Sequence, residues 1–150
     1  MSVQMEIICV GNELLIGKTL NTNAQWLAKR ATSLGIAVKR ITVVGDDVEE
    51  IANALREAIQ RKPRFIITTG GLGPTFDDKT LEGIANALNR KLELNDKALQ
   101  MIKEKYEAYV KAGRIDSAEL TPYRVKMAKL PEGAEPLPNF VGTAPGVRIK

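Results

Sequence analysis

The chain has 150 residues and a mass of 16.4 kDa, the length of one ordinary domain. A chain of this size buries about 70% of its unfolded surface and needs no disulfide or metal staple. Apolar residues at 44% and charged residues at 27% exclude a disordered or collagen-like polymer, and a net charge of +4 without any block of five like charges argues against a dedicated nucleic-acid binder.

Two further counts narrow the chemistry. One Cys excludes an internal disulfide framework and any paired-cysteine zinc or redox site. The absence of His removes imidazole ligands, imidazole bases and every nucleophile that depends on one. Whatever reaction the chain supports must run on carboxylates, lysines, arginines, hydroxyls and backbone amides. The early apolar run Ile7-Ile8-Cys9-Val10 is too short for a membrane span or a signal segment, so a soluble, cytoplasmic protein without a membrane partner is expected.

In chain order, Met5–Val10 reads as a strand that ends at Gly11. Helical spacing follows over Asn23–Leu34, with Leu27, Ala31 and Leu34 on one face, a capping box from Thr22 and Gln25, and a stop at Gly35. Ala37–Val44 is a β-branched strand ending at Gly45. Val48–Arg61 is an amphipathic helix opened by Asp47 with Glu50. Arg64–Thr69 is the third strand, ending at Gly70, and Leu81–Asn89 is a helix capped by Thr80. Strands alternating with helices over short links predict an α/β fold with a parallel sheet covered on both faces. Such sheets bind ligands at the carboxyl ends of their strands.

Asn95–Lys111 reads as a longer helix with Leu99, Ile102, Tyr106, Tyr109 and Val110 in one stripe. That stripe packs either on its own domain or on another subunit. Beyond Gly113 five prolines, from Pro122 to Pro145, break regular structure, leaving Met127–Leu130 and Val147–Ile149 as short strands. The chain stops at Lys150 in what reads as a strand, and a single domain that continues in the natural protein is expected.

Each of the first three strands is followed by glycine and then acid. The sequences are Gly11-Asn12-Glu13, Gly45-Asp46-Asp47, and Gly70-Gly71-Leu72-Gly73-Pro74-Thr75-Phe76-Asp77-Asp78. In a parallel sheet these ends share one edge, so Glu13, Asp46, Asp77 and Asp78 can converge. Carboxylates that gather repel unless a cation intervenes, which predicts a divalent ion, Mg²⁺, Mn²⁺ or Co²⁺, shared with substrate phosphate. Gly70, Gly71 and Gly73 are expected to let the backbone approach that phosphate. Asp47 reads as a helix cap, Asp46 as free to face the crevice, and one of Asp77 and Asp78 as a cap for the third helix, with Asp78 the preferred site residue. Lys18, Lys79 and Arg124 are candidate countercharges and equally plausible surface cations. Gly11–Thr19 approximates a P-loop, but five residues separate its glycines where four are needed, three of them Leu-Leu-Ile.

These blocks, together with Asn21-Thr22-Asn23-Ala24 and Asn139-Phe140-Val141-Gly142-Thr143-Ala144-Pro145-Gly146, resemble the molybdopterin-binding domain superfamily (MoaB/MogA-like). The likeness is strongest to the N-terminal domain of the competence/damage-inducible CinA proteins. Asn12 and Phe140 depart from the family pattern, which usually has Thr and Pro there. The resemblance implies a three-layer αβα fold with a mostly parallel sheet and a crevice at the strand ends. It implies a substrate site that includes Gly70, Gly71, Gly73, Pro74, Thr75, Gly142, Pro145 and Gly146, a metal held by Glu13, Asp46, Asp77 and Asp78, and catalysis through Asp46 and Asp78. For the CinA branch it implies metal-dependent hydrolysis of a nucleotide pyrophosphate such as ADP-ribose. The wider superfamily implies instead binding of molybdopterin or a nucleotide in molybdenum cofactor biosynthesis without hydrolysis. A homo-oligomer, dimer or trimer, is expected. The amidase domain that often follows in CinA proteins has no counterpart here.

Overall fold

The computed structural model describes residues 2–150. Strand β1 (Val3–Val10) is buried over its last six residues. Strands β2 (Ile36–Val44) and β3 (Phe65–Thr69) flank it in parallel, giving the order β2-β1-β3. Met5 pairs with Val38 and Glu6 with Arg40, so Lys39 is an extra residue that bulges β2.

Alternation along β1 sends its side chains to two layers. Met5, Ile7 and Cys9 pack with Ala24 and Ala31 of helix α2 (Thr22–Ser33). Ile8 and Val10 pack with Ile51, Leu55 and Ala58 of α3 (Val48–Gln60) and Ile84 of α4 (Thr80–Ala87). The three-layer αβα arrangement around a parallel sheet is the fold expected. Glu6 lies on the α3 face and is buried. Arg61, one residue beyond α3, donates to both its oxygens, Nε to Oε1 at 2.7 Å and Nη2 to Oε2 at 2.8 Å. That hydrogen bond, then the charges of Arg61 and Arg40, hold the Glu6 carboxyl below the ordinary carboxylate range against the opposing pull of burial.

A second core lies in the chain's last third. Helix α5 (Asp96–Lys111) buries Ala98, Ile102 and Tyr106 against Met127, Ala128 and Leu130. The α5 stripe therefore packs within its own chain, with Val110 left exposed at its end. Around this core run helix α6 (Pro122–Lys126) and two antiparallel ribbons. One pairs β4 (Leu92–Leu94) with β5 (Lys129–Pro131), the other β6 (Glu135–Leu137) with β7 (Gly146–Arg148).

Several boundaries differ from the sequence reading. Asn21, not Thr22, caps α2 by accepting from Ala24 N at 3.3 Å. Thr80 does not cap α4; its hydroxyl turns back to Gly70 O at 2.7 Å, and α4 ends two residues early, at Ala87. Pro122 opens a helix instead of breaking structure, because Thr121 accepts from Arg124 N and a proline in the first turn lacks only an N–H with no partner there. Strand β5 begins at Lys129, since Met127 still closes α6. Among the described residues no helix is long and apolar enough to cross a membrane.

Candidate functional site

The three parallel strands deliver their carboxyl ends to one edge, as expected. There β1 and β2 are fastened by a reciprocal pair: Asn12 N donates to Asp46 Oδ2 at 3.2 Å and Asp46 N donates to Asn12 Oδ1 at 3.0 Å. This occupies one Asp46 oxygen with the first turn of helix α1 (Asn12–Leu15), an element absent from the sequence reading. Glu13 folds its carboxylate over Gly11, so that a Cβ there would lie 2.5 Å from Oε1. Asp47 caps α3 through Glu50 N at 3.0 Å, as its spacing predicts. The opening of α2 reaches the end of β3 through Asn23 Nδ2, 3.2 Å from Thr69 Oγ1.

The glycine loop after β3 owes its shape to its own fold. Gly70 and Gly71 have φ of 90° and 68°, a region that side chains other than glycine rarely adopt. A Cβ on Gly70 would strike the Val10 carbonyl, and one on Gly71 would strike the Thr80 hydroxyl. Thr80 N donates to Gly71 O at 3.2 Å, which ties the loop to the start of α4. Beyond it the chain turns on Thr75, with Asp78 N donating to Thr75 O at 3.1 Å. The tight turn lets two adjacent acids face one side. Asp78 Oδ2 accepts from Thr75 N at 3.0 Å and lies 2.7 Å from Thr75 Oγ1, and Asp77 Oδ1 is also bonded to that hydroxyl. A hydroxyl has one proton, so it serves one carboxylate at a time. The Thr75 hydroxyl, helped by backbone N–H and the charges of Lys126 and Lys79, holds the Asp77 carboxyl below its ordinary range.

A cavity of about 650 Å³ opens between this loop and α6. Gly71, Leu72, Gly73 and Asp78 form one wall, and Tyr123, Lys126 and Lys129 form the other. Phe76, Leu92 and Met127 make its apolar surface. Lys126 Nζ donates to Asp78 O across the gap. None of the cations singled out from sequence lines this cavity. Arg124 stacks on Tyr106, with its guanidinium carbon 4.0 Å from the ring centroid, and donates to Ser117 O and Glu119 O. Lys18 lies in the loop after α1, and Lys79 sits at the start of α4.

The acids divide as well. Asp77 and Asp78 stand together and Asp46 stands with Asn12. Among the described residues no three His, Cys, Asp or Glu side chains gather closely enough to hold a metal ion by themselves. Gly70, Pro74 and Thr75 support the loop without lining the cavity. Gly142 donates its N–H to Asn139 Oδ1 at 3.1 Å, Gly146 pairs with Leu137, and Pro145 lies between them; none of the three lines the cavity. Tyr123, Lys126 and Lys129 were not found from sequence. Their signal was the Thr121-Pro122 helix start, which sets Tyr123 and Lys126 one turn apart on a single face.

A parallel sheet with glycine turns, acids and a cavity at its strand ends defines an α/β domain of the class whose crevices lie at that edge. The chain belongs to the family described as "Probable molybdopterin binding domain", whose model matches residues 6–149. It is 44% identical to CinA of Thermoplasma acidophilum, a protein described as of unknown function. That structure superposes with a TM-score of 0.86 over 97% of this chain and 80% of the other. The tungsten cofactor synthesizing protein MoaB of Pyrococcus furiosus superposes with a TM-score of 0.55 at 24% identity over 75% of this chain and 68% of that one, which shows the fold alone. A protein of Sulfurisphaera tokodaii is 56% identical over 96% of this chain and 52% of its own length. One of Pyrococcus horikoshii is 54% identical over 99% of this chain and 58% of its own. The chain thus spans a little over half the length of these last two relatives.

Proposed function

We propose that the chain binds a phosphorylated heteroaromatic small molecule, a pterin or a nucleotide, in the cavity between the glycine loop and α6. The observation that carries this is the composition of one cavity. It offers half-buried glycine backbone at Gly71 and Gly73, rings at Phe76 and Tyr123 for a flat heterocycle, and cations at Lys126 and Lys129. Membership of the family described as "Probable molybdopterin binding domain" supports the pterin. Equilibrium titration with ADP-ribose and with a phosphorylated pterin tests the reading; no saturable binding of either would overturn it.

Hydrolysis of a nucleotide pyrophosphate is a second reading, favoured by the position of Asp78 in the cavity wall. Its Oδ2 accepts from Thr75 N and shares the Thr75 hydroxyl with Asp77, which leaves Oδ1 to receive a proton from attacking water where no imidazole exists. The acids fit a divalent ion only as a hydrated ion completed by substrate oxygens, with Asp77 as the protein ligand through the oxygen not bonded to Thr75 and Asp78 left as the base. Asp46 belongs to the strand-end clasp with Asn12, and Glu13 folds over Gly11. When bound, such an ion supplies Lewis acidity toward the phosphate. Asp78→Asn is expected to abolish AMP release from ADP-ribose in Mg²⁺, Mn²⁺ or Co²⁺ while the melting temperature stays within about 2 °C, because amide and carboxylate are isosteric at Thr75. Wild-type turnover in that variant would rule the role out.

A further inference from the structure

The cavity walls are not electrically alike. Asp78 and Glu82 bring negative charge from the loop and α4, while Lys126 and Lys129 bring positive charge from α6 and β5. An anionic group in this space is drawn to the cations, whose charge must also offset that of the acids. Of the two cations, Lys129 is exposed and Lys126 is half-buried, so the charge of Lys126 acts with less solvent screening. An ammonium has three donors. Lys126 gives one to the Asp78 carbonyl, which fixes Nζ at the seam where the loop meets α6, and two remain for a ligand.

We infer that Lys126 receives the anionic end of the ligand, a phosphate or pyrophosphate group, and orients the molecule with its ring toward Tyr123. The inference rests on the ligand reading above and adds a residue and a direction to it. The same ammonium sits near Asp77 and contributes to keeping that carboxyl ionised. A phosphate docked on Lys126 therefore arrives beside the acid pair, and substrate charge and protein charge share one cation.

The decisive measurement is calorimetric titration of the folded chain with inorganic pyrophosphate and, separately, with the phosphate-free ring compound 6-hydroxymethylpterin. Wild type, Lys126→Met and Lys126→Arg are compared. Pyrophosphate should bind wild type, weaken by about ten-fold or more in Lys126→Met, and recover to within about three-fold in Lys126→Arg, as expected for a lost charge-assisted hydrogen bond. The pterin affinity should move less than about two-fold, as the ring does not touch the ammonium. Pyrophosphate that ignores wild type, or binds Lys126→Met unchanged, overturns the inference. Equal loss of both probes in Lys126→Met also overturns it, since Lys126 would then only shape the loop. Pyrophosphate bound through Lys126 with no affinity for any pterin or nucleotide leaves Lys126 in place and overturns the ligand reading instead. If Lys126→Met fails to fold, acetylation rates in wild type decide: pyrophosphate should slow modification of Lys126 several-fold relative to the exposed lysines, and an unchanged rate counts against it.

Discussion

Glu6 and Arg61 show what single residues contribute to this fold. A carboxylate in the middle of the central strand is stabilising only while its partner is present. Because the pair depresses the folded-state value of Glu6, its stabilisation is complete above the ordinary glutamate value and is lost as pH falls through the depressed one. Arg61→Met should lower the melting temperature by roughly 5 °C at pH 7, since it leaves a buried acceptor unsatisfied. The gap between variant and wild type should shrink as the pH is taken toward 3. A gap that stays constant across a pH series of thermal melts would show that the ion pair is not its source. The strand containing Glu6 was readable from the sequence, but its partner was not: 55 residues separate the two, and nothing in a helix-ending arginine marks which carboxylate it will reach.

At the scale of elements, legibility followed how local the deciding interaction was. Asp47 was assigned correctly because cap and capped amide are three residues apart. The cap of α2 was displaced by one because Asn21 and Thr22 are both good cap residues, and only the amide that Asn21 actually meets separates them. Asn21→Ala should cost about 1 kcal/mol in chemical denaturation and Thr22→Ala only a few tenths. The reverse order would return the cap to Thr22. Thr80 was misread for a non-local reason, since the end of β3 claims its hydroxyl ten residues back. The candidate site divides in the same way. The glycine loop and its two acids form a contiguous motif and were found. The opposite wall comes from α6, 48 residues beyond Asp78, in a stretch where prolines obscured a five-residue helix.

For the whole molecule, the cavity lies between the glycine loop after β3 and the core built on α5, to which its lining residues Leu81 and Met127 belong. A ligand there contacts side chains brought together only by folding and so binds the folded state alone, which should raise stability by mass action, about 2.7 kcal/mol at one hundred times its dissociation constant. Differential scanning fluorimetry with ADP-ribose should show the melting temperature climbing with the logarithm of concentration, and a flat response would show that ADP-ribose does not bind the folded chain. The position of Cys9 supplies a reporter for this. It is the single thiol in the chain, sealed in the central strand with none of its surface accessible. A disulfide dye can therefore colour the protein only when the packing of α2 on the sheet opens. The speed at which colour develops is a clock for that opening, one that needs no engineered probe and that an occupied cavity should slow.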